Sequence, residues 1–438
     1  MKFVAVLFCL TIVACNGKGS GGSYGPGLST PVVSNLVAQN PTPAAPFAFV
    51  AASPYAASLG PCTYAGDATE SCPLSRLPFL GIDVANPTVD DVMARVLISH
   101  SWMGANFRAL LESLPADALP MFRSITAVVI AADVRPAYYD PVTGAIYLDP
   151  DFVWLTPSQL ADISTDPDPR AGFGIELQVE LPWRYVKDNQ PLSFPLNEDG
   201  TRDLDQLAVL MGFLLYHELA HALDFMHPSR LAGLDLAQTP AEAASDSSLF
   251  MSAGLVNTYP LTSAVLQSLA GVSFLGSTST PVQQALQPSD LVSEFALDGA
   301  AQYYSYTSQY EDFANLFDTV MMSFHFGYEK DTGITDSPAS GDPYAGIVAW
   351  GQRGRFVDQA VLLRTLEVVQ AIYPGDLAAL EAYINARPPP ESMRVGETWG
   401  SNLLLGPPEP AGLPGVSASS GAQIGATAGR LLEQVRIR

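Results

Sequence analysis

The sequence predicts an α+β fold, in which a small twisted sheet packs on one long helix and a mainly helical lobe follows. The long helix is indicated by residues 207–227, where apolar residues recur at the spacing of one helical face. These residues are Leu207, Leu210, Met211 and Leu214. The sheet is indicated by three strand-like segments before this helix. The lobe is indicated by helical patterns at 308–326 and 352–386.

The first residues of the chain have the features of an export signal. Two residues, Met1 and the basic Lys2, precede the apolar run Phe3–Val13, which is too short to span a bilayer. The run ends in Ile-Val-Ala-Cys, which resembles a bacterial lipobox. We therefore expect a signal peptide at 1–14 and a lipid on Cys15, although an ordinary signal peptide with an incidental cysteine is the alternative. By resemblance to bacterial sorting rules, asparagine rather than aspartate after Cys15 favours the outer membrane of the cell envelope.

Residues 15–58 are rich in Gly, Ser, Pro and Ala and almost free of charge, which predicts a flexible tether. About 340 residues then remain for one large domain or two lobes, which we place at 59–395. The last residues, 396–438, contain several prolines and a Ser/Gly/Ala run and are predicted to be a loose tail. Cys62 and Cys72 lie ten residues apart in an exported chain, which predicts a disulfide.

The net charge of −23 argues against two kinds of partner, nucleic acid and anionic lipid. Nucleic-acid binding needs basic patches, which such an acidic chain does not favour. The same charge disfavours docking on anionic lipid, so contact with the membrane would have to come through the lipid anchor. Beyond the export signal no segment reaches 18 uninterrupted apolar residues, and no transmembrane helix is expected.

The secondary structure expected before the long helix is one helix and the three strands of the sheet. Residues 88–114 have acidic residues after a threonine cap and roughly helical apolar spacing, which predicts the helix. β-Branched runs and alternating apolar and polar residues predict the strands, at 125–131, 145–149 and 174–181. After the long helix, 308–326 is expected to be one helix, and 352–386 two helices broken at Pro374-Gly375.

The long helix contains His217-Glu218-Leu219-Ala220-His221, an HExxH pattern. Residues i and i+4 lie side by side on a helix, so the imidazoles of His217 and His221 can bind one Zn²⁺. Glu218 points toward the same coordination position, where a carboxylate can take a proton from water and pass it to a leaving amine. Because three of the five histidines lie within residues 217–227, chance is a poor explanation. The pattern predicts a zinc peptidase.

A catalytic zinc site has three protein ligands, and several residues compete to be the third. His227 gives HExxHxxDxxH, close to the metzincin pattern, but Asp224 stands where metzincins have glycine. The other candidates are carboxylates in later helical segments, and they are Glu242, Glu294 and Glu311. Glu311 is favoured because the small Ala314 allows its helix to lie close to the HExxH helix. All four candidates remain open at this point.

Two segments together resemble a known family. HELAHALDF at 217–225, with EDFANLFDTVMM at 311–322, resembles the gluzincin branch of the HExxH zinc metallopeptidases. It is similar in particular to bacterial lipoproteins that carry HELAHA and a downstream Glu-Asp-x-Ala-x-Leu-Phe helix. WRYVK at 183–187 belongs to the same resemblance, which covers about residues 150–350.

The resemblance implies a zincin-like fold, with Zn²⁺ bound by His217, His221 and Glu311 and with Glu218 as general base. Asp224 fits this interpretation better than the metzincin one, and it is a candidate to orient a ligand imidazole. The residues considered for stabilising the oxyanion are Tyr303, Tyr304, Tyr306, His325 and Tyr328, and the sequence favours none of them.

The function expected is hydrolysis of peptide bonds in a peptide or protein substrate. Two alternatives are a non-catalytic surface lipoprotein that uses the same fold to bind a partner, and a metzincin-like protease with His227 as third ligand. The intact His-Glu-His pattern argues against the first alternative.

Overall fold

A computed structural model describes residues 44–65, 70–163, 170, 172–193, 196–339 and 341–405. The signal peptide predicted at 1–14, the lipidated Cys15, residues 16–43 of the tether and residues 406–438 of the tail lie outside the described residues. The described part of the chain has an α+β fold with two small sheets.

Helices account for most of the regular structure. The α-helices of the described residues are α1 (Ala56–Thr63), α2 (Leu80–Asp83), α3 (Val89–Met93), α4 (Ser101–Ser113), α5 (Pro157–Leu160), α6 (Leu204–Phe225), α7 (Pro240–Ala243), α8 (Met251–Thr258), α9 (Ala264–Leu275), α10 (Pro281–Gln284), α11 (Pro288–Ala296), α12 (Gln309–Phe326), α13 (Leu362–Ile372) and α14 (Leu377–Ala386).

The strands are short. Those of the described residues are β1 (Phe47–Ala48), β2 (Val96–Ile98), β3 (Val128–Ile130), β4 (Tyr138–Asp140), β5 (Ala145–Leu148), β6 (Val179–Glu180), β7 (Trp183–Lys187), β8 (Gln190–Pro191), β9 (Glu329–Asp336), β10 (Val348–Arg353) and β11 (Glu391–Ser392).

The first sheet has the strand order β1-β2-β3-β5-β4. Its three central strands are parallel, and the outer strands β1 and β4 run antiparallel to them. The central strands are completely buried apolar runs, because both faces of the sheet are covered. Val128 and Ile146 face the core shared with α4 and α6, and Val129 faces a smaller cluster that contains the disulfide Cys62–Cys72.

The second sheet is antiparallel, in the order β11-β10-β9-β7-β8, with β6 also paired to β9. The WRYVK segment is its strand β7, and the register places Arg184 opposite Asp331 and Tyr185 opposite Lys330. The lobe after the long helix is therefore less helical than the sequence indicated, since β9, β10 and β11 belong to it.

The helices α6 and α12 pack against each other at the centre of the main core. Asp203 caps α6 by accepting the N–H of Gln206, and every residue of α6 from Leu207 to Asp224 except Val209 is buried. Ala314 of α12 is completely buried, as close packing of the two helices requires. The segment Leu204–Gly233, which begins with α6, is long and apolar enough to span a membrane by length and composition, but 89% of its apolar window is buried inside the protein, as in a core helix.

Three of the predicted helical regions are confirmed: the long helix is α6, 308–326 is α12, and 352–386 contains α13 and α14. The single helix predicted at 88–114 is wrong. It is α3 and α4 separated by the strand β2, because Val96-Leu97-Ile98 enters the first sheet beside β3.

The strand predicted at 174–181 is also mostly wrong. Only β6 pairs, with β9, and the preceding residues form a turn. Gly174 has a φ of +71°, which an extended strand does not allow. Ile175, which the alternation pattern counted as a strand residue, is 78% exposed.

The folded domain extends beyond both boundaries expected for it. At its start, Phe47 pairs with Ile98, so the tether cannot continue to residue 58. At its end, Trp399 is 3% exposed and its ring lies 4.2 Å from the guanidinium carbon of Arg184, which also donates to the Trp399 carbonyl. The contact between the Trp399 ring and the buried Arg184 cation attaches residues 396–405 to the second sheet, so they do not form a loose tail.

Candidate metal centre

The face of α6 that meets α12 carries the HExxH residues. His217, Glu218 and His221 are 7%, 2% and 8% exposed, so three polar side chains lie inside an otherwise apolar core. Buried polar groups are costly unless they are paired with other polar groups or with an ion. Their partners come mainly from α12.

Glu311 lies in the first turn of α12. The Ser308 hydroxyl caps this helix by accepting the backbone N–H of Glu311. The Glu311 Oε2 atom is 3.1 Å from His217 Nε2 and 3.4 Å from His221 Nε2. The three candidate ligand atoms all lie within 4.8 Å of one another. Donor atoms around a tetrahedral zinc are roughly 3.3 Å apart, given bonds of about 2.0 Å. His217, His221 and Glu311 therefore form a buried group that could hold a metal ion.

The other three candidates for the third ligand lie elsewhere. His227 caps a short 3-10 helix at 228–233 and bonds through Nδ1 to the Ser229 hydroxyl. Glu242 is exposed and closes a capping box by accepting the N–H of Thr239. Glu294 accepts the hydroxyl hydrogen of Ser263. Among the described residues, only Glu311 joins the two histidines in such a group.

A buried carboxylate, Asp318, supports the site from behind. It is on α12, two turns after Glu311, and its Oδ2 lies 2.8 Å from His217 Nδ1. Its Oδ1 accepts hydrogen bonds from the Tyr185 hydroxyl at 2.7 Å and from Lys330 Nζ at 2.9 Å. A hydrogen bond from Nδ1–H to Asp318 leaves Nε2 of His217 with its lone pair toward the metal position. The WRYVK strand thus serves the site by holding this carboxylate.

The electrostatics of the group favour a positive charge. Burial opposes protonation of His217, but hydrogen bonds to Asp318 and Glu311 outweigh it and raise the pKa of the imidazole to about 10. Burial also opposes ionisation of Glu311, but the two neighbouring imidazoles hold its pKa well below the usual value. A metal cation between these ligands would supply the same charge in place of a proton.

Asp224 does not take the role suggested for it. Its Oδ1 accepts the backbone N–H of Ser252 at 2.7 Å, and no hydrogen bond joins it to a histidine among the described residues. Its side chain is completely buried, and this burial raises the pKa of its carboxyl to about 6. The imidazole-orienting carboxylate of this site is Asp318, which the sequence analysis did not identify.

A small, open cleft adjoins the metal group. His217 and Glu218 lie in its wall, beside the two amides of Gln302 and Asn315. The rest of the lining is apolar and consists of Pro136, Ala137, Phe152, Trp183, Phe213 and Leu214. The Glu218 carboxylate therefore lies at a cavity, next to the candidate metal ligands.

None of the five residues considered for the oxyanion is among the described residues that line this cleft. The Tyr306 hydroxyl donates to Asp298, and His325 pairs with Asp117 at 3.0 Å. The signal that the sequence analysis missed is a polar stripe on the buried helix α12. It consists of Glu311, Asn315 and Asp318, at the helical spacing i, i+4, i+7.

Comparisons with known proteins find no match to a family model, to a curated protein or to a solved structure. Function must therefore be inferred from the residues of the site.

Proposed function

We propose that this protein is a zinc-dependent peptidase of the gluzincin type, with a zincin-like fold. The observation that carries the proposal is the convergence of His217, His221 and Glu311 on one buried point beside a cleft that contains Glu218. Two imidazoles and one carboxylate are a ligand set of catalytic zinc sites in peptidases, and they suit Zn²⁺ better than Mg²⁺ or Ca²⁺.

The residues of the chain have distinct roles in the proposed reaction. Bound Zn²⁺ would act as a Lewis acid toward the substrate carbonyl and make water more acidic. Glu218 takes one proton from the attacking water, whose oxygen forms the new bond to the carbonyl carbon. Glu218 then returns that proton to the amine nitrogen as the carbon–nitrogen bond breaks. Asp318 keeps His217 in the tautomer that can bind the metal.

The first sheet supports a peptide as substrate. Its outer strand β4 directly follows Pro136 and Ala137, which line the cleft. An extended peptide can bind beside an outer strand through backbone hydrogen bonds. In this proposal the scissile bond lies at Glu218 and the flanking residues extend along β4. A lipid on Cys15 would hold the enzyme at the bacterial cell envelope, on the evidence of the N-terminal sequence.

Zinc stoichiometry of the purified full-length chain tests the proposal, with Glu311→Ala and His227→Ala measured in parallel. We expect one zinc per wild-type chain, loss of that zinc in Glu311→Ala, and its retention in His227→Ala, since His227 lies outside the metal group. Loss only in His227→Ala would favour the metzincin-like alternative. A wild-type chain that binds no zinc would refute the proposal and favour a non-catalytic binding protein.

A further inference from the structure

Two primary amides form a buried pair in the wall of the cleft. Gln302 precedes the 3-10 helix Tyr303–Tyr306 and is 3% exposed, and Asn315 is on α12 and is 1% exposed. The Gln302 Nε2 group donates a hydrogen bond to Asn315 Oδ1. Both positions are fixed by backbone contacts, since the Gln302 carbonyl accepts the N–H of Ser305 and the Asn315 carbonyl accepts the hydroxyl of Thr319.

The pair leaves one donor and one acceptor without a protein partner. Asn315 Nδ2 and Gln302 Oε1 are both buried and form no hydrogen bond in the described part of the protein. If both amides are turned over, the roles exchange, and again one N–H donor and one oxygen acceptor remain. A buried donor or acceptor without a hydrogen-bond partner destabilises the fold. Two of them in one cleft wall point to a ligand that satisfies both.

A peptide group is the simplest ligand with the complementary pair, because it carries one C=O acceptor and one N–H donor. The other lining residues favour a neutral group, since no Lys or Arg lies among the described residues around the cleft. A terminal carboxylate would need such a cation. Asn315 is one helical turn after Glu311 on the same face of α12. A peptide group held there is therefore adjacent to the metal group.

We propose that Gln302 and Asn315 bind one internal peptide group of the substrate next to the bond that is cleaved. This inference rests on the proposed peptidase function. It makes the pair a substrate-positioning element, and it favours cleavage within a chain over removal of a C-terminal residue. The Asn315 amide donates to the substrate carbonyl oxygen, and the Gln302 oxygen accepts from the substrate N–H.

The test compares two zinc-binding probes on the zinc-loaded full-length chain by isothermal titration calorimetry. Acetohydroxamate has no peptide group beyond its metal-binding end, whereas acetyl-Leu-Ala-hydroxamate carries neutral peptide groups. The variant is Gln302→Met combined with Asn315→Leu. It replaces both amides by apolar side chains of similar shape, so that no polar group is left unpaired and folding is preserved. Zinc content and acetohydroxamate affinity measured on the same variant check its fold.

We expect the double variant to bind acetohydroxamate like wild type and to bind acetyl-Leu-Ala-hydroxamate roughly tenfold to hundredfold more weakly, the effect of two neutral hydrogen bonds. Unchanged affinity for both probes would overturn the inference and leave the peptidase proposal intact. If neither probe binds zinc-loaded wild type, the peptidase proposal fails and this inference falls with it. If the double variant does not bind zinc, Gln302→Met alone gives the test, with an expected loss of roughly fivefold.

Discussion

Replacing Asp318 by asparagine tests whether this buried carboxylate tunes the candidate metal site. The wild-type side chain is completely buried, and its closest partners are His217 Nδ1 at 2.8 Å, the Tyr185 hydroxyl at 2.7 Å and Lys330 Nζ at 2.9 Å. Asparagine keeps the shape and an acceptor oxygen but removes the charge. Asp318→Asn therefore changes the electrostatics of the site with little change in packing.

Two effects of different size are expected. Loss of a carboxylate that orients a ligand histidine typically weakens metal affinity by about 10–100-fold. Separately, Lys330 is 2% exposed and loses its charge partner, and a buried charge left alone costs about 3–5 kcal/mol of stability. The second effect alone could unfold part of the population, so metal affinity must be separated from stability.

The double variant Asp318→Asn with Lys330→Met provides that separation. It removes both members of the buried ion pair, so we expect it to recover most of the lost stability while zinc affinity stays reduced. Zinc affinity is measured by competition with a chromophoric chelator, and the free energy of unfolding of the metal-free chain by urea titration. If Asp318→Asn binds zinc as tightly as wild type, Asp318 has no role in tuning His217. If the double variant regains wild-type affinity, the loss in the single variant came from instability.

Three further perturbations test other parts of the interpretation. Glu218→Gln should keep zinc but lower hydrolysis of labelled casein by roughly 10²–10⁴-fold, and retained activity would remove Glu218 from the mechanism. Asp224 has a carboxyl pKa raised to about 6, mainly by burial, so its ionisation lowers stability as the pH rises through about 4 to 6. Asp224→Asn should therefore stabilise the metal-free chain by about 1–3 kcal/mol at pH 7.5 and not at pH 3.5, as measured by urea unfolding. A stability difference between variant and wild type that is the same at both pH values would contradict this. Trp399→Ala should lower the free energy of unfolding by about 3–5 kcal/mol, because the ring is buried. Val395→Ala is the control, since this side chain is 69% exposed and its loss should change stability little. Equally small effects of the two substitutions would mean that residues 396–405 do not belong to the fold.

The sequence was most informative where local pattern and tertiary environment agree. The apolar stripe of α6 and the segment 309–326 were recognisable because a buried helix repeats its apolar positions every three or four residues. The same segment contains Glu311, so the three members of the metal group could be named before their positions were known. The small Ala314 favoured Glu311 over Glu294, but the surroundings of either carboxylate depend on packing between distant segments.

The errors occurred where tertiary packing decided the outcome. Val96-Leu97-Ile98 fits a helical or an extended pattern, and only the neighbouring strand β3 makes it a strand. Asp318 was missed although its helical spacing from Glu311 was visible. The role of Asp318 depends on Tyr185 and Lys330. Tyr185 precedes the HExxH helix in the sequence and Lys330 follows it, and the pairing of β7 with β9 brings both side chains to Asp318. Such long-range pairings are not encoded in local periodicity.

The segment 226–308 between α6 and α12 has a consequence for the surface of this protein. Its helices α9 and α11 pack in a separate hydrophobic cluster, shared with the second sheet, which includes Leu269 and Phe295. Lengthening such an excursion costs little, about 0.6 kcal/mol for each doubling of a flexible loop. Residues added in its exposed connections would therefore enlarge the surface beside the cleft at little cost in stability, while His217 and Glu311 keep their places.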